Sequence, residues 1–328
     1  MPGANKIKQL LAKDDFGEAF YLVDSDYRTQ AQGWTKADHT GPLDLYEERN
    51  PGYVFRTGDY ASDAACMQAA INAQVDFRGD MLYFTPGNYT PAAALVLDVP
   101  DARWMGSRRR RGQSATITAG VADALGSVTA ADSMEFAYLR FVPLTAGVMI
   151  SRGAGSDNWW LHDFVYDARG ITADVGTIFM KDTGACLNTI IEDFIGQTNT
   201  ALGPLYQTAA SSVQGIIKNF SWLHSGNTLV TLLFETITGG AGATCWQIGP
   251  GHVQVGGGGA VTNLGAMINM TANATNATLV NITTSVGGAT TALGWEATTG
   301  VAAEGDIVNS WVATIAGGAG RAALVGTT

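Results

Sequence analysis

Four stretches of this 328-residue chain share one pattern: "MEFAYLRFV", "NWWLHDFVY", "NTIIEDFIG" and "GIIKNFSWL". They align with Phe141, Phe164, Phe194 and Phe220 in one column, at separations of 23, 30 and 26 residues. Each apolar run is strand-length and lacks the 3.6-residue period of a helix. Constant strands at varying intervals are what a solenoid produces, because every coil returns similar side chains to one slot while its loops change length. "AMINMT", "TLVNIT" and "DIVNSWVATI" supply further strands. Coils stack ~4.8 Å apart, so a chain winding from residue 80 at about 25 residues per coil makes roughly ten coils, with the Phe column inside.

Composition agrees with an all-β chain. Glycine is abundant (41) and proline scarce (9), and glycine supplies the backbone angles that many tight corners need. An apolar fraction of 46% is ample for a core. Net charge is −10, unevenly spread: residues 1–97 hold 13 acids and 8 bases, 98–193 hold 12 and 9, and the last 135 residues only 4 and 2. A free soluble surface carries roughly a quarter or more charged residues, so the C-terminal half is expected to be covered by self-association. An acidic chain is a poor partner for nucleic acid. The one basic run, Arg108 to Arg111, reads as a solvated corner or salt-bridging patch rather than a phosphate clamp.

Cys66, Cys186 and Cys245 are odd in number and far apart, which suggests core thiols rather than disulfides or a zinc site. The N-terminal residues contain neither a signal-peptide core nor any run near the ~18 apolar residues of a membrane span, so synthesis in a host cytoplasm and no membrane partner are expected. No cofactor-binding loop or metal-ligand spacing is visible.

Residues 62–74, "SDAACMQAAINAQ", are expected to be helical, with Ser62 capping the first turn and Asp63 complementing the dipole. Then comes "GDMLYFTPGNYTPAAALVL", in which Pro86 and Gly87 force a turn between two apolar strands. This order, carried by Asp63, Gln68, Ala70, Ile71, Phe84, Pro86, Gly87 and Tyr89, resembles the opening of the pectate-lyase-like right-handed parallel β-helices of bacteriophage tailspikes, virion surface proteins and polysaccharide-degrading enzymes. The chain departs from them in lacking paired aspartates before the helix and in placing Thr85 between Phe84 and Pro86. The resemblance implies an all-β fold: a right-handed single-stranded parallel β-helix body over 61–328, a short N-terminal capping helix, and an extended arm over 1–60.

In the arm, Trp34, His39, Tyr46 and Tyr53 are scattered among polar residues, as suits a segment laid on another surface; they are the candidate partner-binding residues. Carbohydrate chemistry on such a fold needs paired carboxylates. The densest acidic group is Asp157, Asp163, Asp167, Asp174, Asp182, Glu192 and Asp193, where Asp163 and Asp193 share a repeat slot with Asn219. A polar residue beside a buried Phe is also what a solenoid corner requires, so no catalytic residue is assigned. His162 and His224 are expected to be structural, and "PGHVQ" around His252 lacks the companions of the polygalacturonase branch. The favoured expectation is a bacteriophage virion protein, a homotrimer that decorates or cements the capsid by contact with the major capsid protein, without catalysis or cofactor. The alternative is a tailspike receptor-binding protein or polysaccharide depolymerase.

Overall fold

A computed structural model describes residues 20–24, 54–106, 115–127, 131–172, 174, 176–200, 202–208 and 213–225, and beyond them 234–236, 244–255, 268–270, 274–286, 295–297, 303–308 and 321–325. The helix forms where expected. Helix α1 (Asp63–Ala73) is capped by Ser62, whose Oγ accepts from the Ala65 amide at 3.2 Å. It buries Ala64, Cys66, Met67, Ala70 and Ile71 against the first coil. Asp63 does more than complement the dipole: its carboxylate accepts the Thr90 amide at 2.6 Å. Gln68 pairs in both directions with the Val96 backbone, accepting at 2.8 Å and donating at 3.2 Å. The helix is thereby stitched to the chain at Thr90 and at Val96.

After it the chain winds as a parallel β-solenoid. Three sheets run the length of the stack, and every pairing is parallel between one coil and the next. The first coil contributes Met81–Phe84, Gly87–Tyr89 and Leu95–Val96 to the first, second and third sheets. Among the described residues seven such triplets follow in order, and the first sheet then adds Ala303–Val308 and Arg321–Val325, making ten first-sheet strands from Met81 onward. The first sheet also extends the other way, through Phe20–Asp24 and Val54–Arg56. Thr85 explains part of that extension. Its amide donates to the Val23 carbonyl at 3.0 Å, its Oγ1 lies 3.0 Å from the Tyr89 hydroxyl, and that hydroxyl is 2.9 Å from the same carbonyl. Trp34, His39, Tyr46 and Tyr53 lie outside the described residues, as do Arg108 to Arg111.

Five of the described corners between the first and second sheets each contain one non-glycine residue in the left-handed backbone region. Tyr138, Asp163, Asp193, Asn219 and Asn281 hold this slot with φ between 50° and 58°. Asp and Asn tolerate that conformation better than most non-glycine residues, which is why the acidic column seen in the sequence exists. Asp101, Ser133, Asn158, Asn188 and Gln214 form a matching column at the leading edge of the first sheet, with φ from 50° to 62°.

Rings stack inside. Phe164 and Phe194 are parallel at 5.0 Å, and Phe194 and Phe220 at 5.3 Å. Phe141 is not in that column, contrary to the alignment of the repeats. It pairs with Tyr166, so Leu139 is the residue that faces Phe164, and Phe141 meets Phe164 edge-on at 5.9 Å. A two-residue slip keeps every side chain on its own face of the strand, and an apolar pattern cannot detect it. A second aromatic row, Phe84–Trp104–Phe136–Trp159, lies behind the first sheet at 5.3 to 5.6 Å between rings.

Two glycines serve packing rather than corners. A Cβ on Gly196 would lie 2.2 Å from Trp222, and one on Gly215 would lie 2.3 Å from Trp246. Each faces, in register, the indole of the next coil. The interior also holds a buried ion pair: Arg152 donates Nε to Asp182 Oδ1 at 2.8 Å and Nη2 to Oδ2 at 3.1 Å, while Tyr206 accepts from Arg152 at 2.8 Å and donates to Asp182. Cys66 and Cys186 are free buried thiols. The Cys186 thiol, pushed up to about 12 mainly by burial, donates to the Gly153 carbonyl at 3.1 Å.

Phe194→Ala removes the middle ring of a three-ring stack and is expected to lower unfolding free energy by about 3 to 5 kcal/mol, read from chemical denaturation. Gly196→Ala adds a methyl where the Trp222 ring already sits and is expected to cost about 1 to 3 kcal/mol. A neutral shift for Gly196→Ala would mean that the indole is not held against that backbone.

Candidate functional site

The outer face of the first sheet gathers most of the exposed chemistry. Its strands alternate, so residues two apart share a face. The parallel register lines up Arg103, Glu135, Trp160, Ile190, Ile216 and Gln247 in one outward row across six coils. Two residues further along, the next outward row contains His162, Glu192 and Lys218. The leading-corner residues Asn158, Asn188 and Gln214 border the face on its other side.

Trp160 is the centre of this face. It remains 40% exposed, whereas its neighbour Trp159 is fully buried and donates to the Ala131 carbonyl at 2.6 Å. The Trp160 ring stacks on His162 at 4.0 Å with a 26° tilt, and its Nε1 donates to Glu192 Oε1 at 2.7 Å. Glu192 Oε2 in turn takes Lys218 Nζ at 2.9 Å. On the other flank, His162 Nε2 is 2.9 Å from Glu135 Oε1 and Nδ1 is 3.0 Å from Asp163 Oδ2. Two carboxylates from different coils thus clasp one imidazole, and a third clasps the indole stacked upon it.

Burial by itself would lower the pKa of His162, but the hydrogen bonds and charges of Glu135 and Asp163 outweigh it and raise it. When protonated, the imidazole ties the coil of Glu135 to the coil of His162.

Beside this network a groove of about 520 Å³ opens along the stack. It is lined by Asn158, Asn188, Gln214 and Gln247, with Ile190 and Ile216 as its floor. Asn188 Nδ2 donates to Asn158 Oδ1 at 2.9 Å, joining two neighbouring coils. An amide carries two donor hydrogens and a two-lone-pair acceptor, so each retains capacity after that bond. Leu187, next to Asn188 in sequence, is exposed.

The acidic group noticed in the sequence is distributed rather than convergent. Asp157 accepts the Leu187 amide at 2.6 Å, and Asp174 accepts the Gly176 amide at 2.7 Å. Asp167 is held by Arg140 and Arg169 on the second sheet; although burial raises it, those guanidinium hydrogen bonds bring its pKa to about 2. Asp182 faces inward on Arg152, and Asp163 and Asp193 are adjacent corner residues. His162 and His224 both lie in strands and are buried, with Thr198 Oγ1 at 2.8 Å from His224 Nδ1. His252 stands exposed on the second sheet, facing Ser221 and Thr283 of the adjoining coils. Among the described residues no group of three His, Cys, Asp or Glu side chains is arranged to hold a metal ion, and no helix is long and apolar enough to cross a membrane.

Trp160, Glu135, Lys218 and the amides were not singled out from the sequence. A signal existed, since Trp160, Ile190 and Ile216 are the out-of-phase apolar residues of "NWWLH", "NTIIE" and "GIIK".

No protein-family model matches the chain. No curated protein matches it. Among solved structures it is similar to Geobacillus virus E2 ORF18, at 11% identity and a TM-score of 0.41, over 94% of this chain and 72% of that one. A likeness of that degree assigns no family.

The His162 linkage has a definite sign. Because the folded pKa lies above the ordinary value of about 6.5, the stabilisation is full below that value and is lost as pH rises through the folded pKa. The melting-temperature advantage of the native chain over His162→Gln is therefore expected to be larger at pH 5.5 than at pH 8.5. Equal differences at the two values would show that the imidazole is not clasped as a cation.

Proposed function

We propose that the chain is a structural protein of a bacteriophage particle: a homotrimer whose β-solenoid body decorates or cements the capsid, and whose residues 1–60 contact the major capsid protein through Trp34, His39, Tyr46 and Tyr53. The observation that carries the non-catalytic part is the fate of the acidic stretch from Asp157 to Asp193. Its carboxylates accept backbone amides, pair with Arg140, Arg152, Arg169 and Lys218, or hold left-handed corners. Hydrolysis of a glycosidic bond asks instead for two carboxyl groups facing one substrate position, separated by about 5 to 9.5 Å.

Self-association draws support from the charge-poor last 135 residues, with 4 acids and 2 bases. Such a surface is better covered than solvated. The virion location rests on the resemblance in the opening residues 63–89 together with the aromatic-bearing segment before them. Since Phe20–Asp24 and Val54–Arg56 pair within the first sheet, attachment is best tested by substitution rather than by deleting 1–60.

The full chain is expected to have a native mass of three chains and to sediment with particles that lack it, and Trp34→Ala with Tyr46→Ala should abolish that sedimentation while leaving the oligomer intact. A monomeric mass, or unchanged particle binding by the double variant, contradicts the corresponding part. Release of reducing ends or unsaturated uronates from capsular polysaccharides, lost in Asp163→Asn, would replace this reading by the depolymerase one.

A further inference from the structure

We infer that the turn presenting Val75 and Phe77 docks a second copy of this chain, and that the segment it receives is that copy's Arg108–Arg111. The inference rests on the homotrimer proposed above and names the contact that closes its ring.

Phe77 is the starting observation. It is 71% exposed and Val75 beside it 47%. Its φ of +57° is a left-handed backbone that a bulky residue adopts only where the surroundings impose it. Here they do. The Phe77 amide donates to the Pro100 carbonyl at 3.1 Å, while the buried Asp80 carboxylate accepts the Val75 amide at 2.8 Å and the Arg78 guanidinium. Gln74 donates to the Asp80 carbonyl at 3.2 Å, and Arg103 donates to the Gly79 carbonyl at 2.7 Å. A phenyl ring held rigid in solvent gains nothing from that strain. A ring that enters a partner does gain, because it is ordered before binding.

Charge selects the partner. Asp76 is exposed next to Phe77, and Asp101 follows the Pro100 to which the turn is bonded. The Asp101 amide donates to the Asp132 carbonyl at 2.8 Å, and Asp132 Oδ1 accepts the Asp157 amide at 2.7 Å. The apolar knob thus heads a column of carboxylates, one from each successive coil. Of the two bases nearby, Arg78 pairs with Asp80 and Arg103 is turned onto the Gly79 carbonyl. A complementary surface must be cationic, and this chain carries one dense cationic run, Arg108 to Arg111.

Position along the stack agrees. The run lies within residues 107–114, which connect first-sheet strand Arg103–Gly106 to second-sheet strand Ala115–Thr118. It follows the trailing end of the strand whose leading corner is Asp101, roughly 17 Å away at about 3.3 Å per residue. One chain could join run and knob only by doubling the connection back along the strand it has just left. Copies related by rotation about an axis parallel to the solenoid stand at equal height, so the trailing end of one meets the leading corner of the next. Such a head-to-tail contact, repeated around the axis, closes a ring.

The full chain is examined by sedimentation over a concentration series at low and high salt. The native chain is expected to have a mass of three chains and to dissociate more readily at high salt. Phe77→Asn keeps a residue suited to the left-handed turn while removing the ring, and should weaken assembly about tenfold or more with an unchanged circular dichroism spectrum. Asp76→Arg should weaken assembly, as should Arg109→Asp with Arg110→Asp. The chain carrying all three reversals should recover, since every contact in the ring then meets inverted charges. A native chain that is monomeric throughout fails the homotrimer and this contact with it. A native mass of three chains that none of these variants disturbs leaves the homotrimer standing and overturns the contact, as does a combined variant that assembles no better than the separate reversals.

Discussion

The parallel hydrogen-bond ladder between successive coils places everything else in this molecule. Because each strand pairs only with the corresponding strand one coil before and one coil after, a side chain's neighbours along the axis are set by register alone. Rows follow automatically: Phe164, Phe194 and Phe220 inside, and Trp160, Ile190, Ile216 and Gln247 outside. A slip of one residue in any coil would exchange the two faces and expose the rings, so the buried aromatic rows and the exposed outer row are two consequences of one pairing.

Closing each coil within a small circumference imposes two further demands. The chain must turn sharply at both ends of the first sheet, and a single left-handed residue does so in nearly every described coil. Apart from Tyr138, the non-glycine residues named in those slots are Asp, Asn, Ser and Gln, which populates the edges of the first sheet with polar side chains. The interior must then accommodate bulky indoles at the strand spacing, where two large rings cannot always face each other. Gly196 and Gly215 yield that room to Trp222 and Trp246, much as alternating large and small residues interdigitate in a close-packed core.

The candidate site inherits its character from these demands. Three of its amides, Asn158, Asn188 and Gln214, stand in a column because they are corner residues repeated once per coil, whereas Gln247 ends the row of Ile190 and Ile216. Its ion pairs join different coils because the outward row of one strand faces the outward row of the next. His162 shows the coupling: clasped by Glu135 of the preceding coil and Asp163 of its own corner, it makes a surface network also a cross-link between layers.

The amino-acid sequence by itself determined the class of fold, the position and cap of the helix, the turn at Pro86 and Gly87, and the shared slot of Asp163, Asp193 and Asn219. These are local or strictly periodic signals, and one strand suffices to register them. Only the tertiary structure decided that Phe141 lies beside Tyr166 rather than above Phe164, that Gly196 is a socket for an indole, and that Trp160, Glu135, Glu192 and Lys218 meet. Those contacts join residues 25 to 35 positions apart through loops of unequal length, and apolar periodicity specifies which face a residue takes without specifying which partner it meets there.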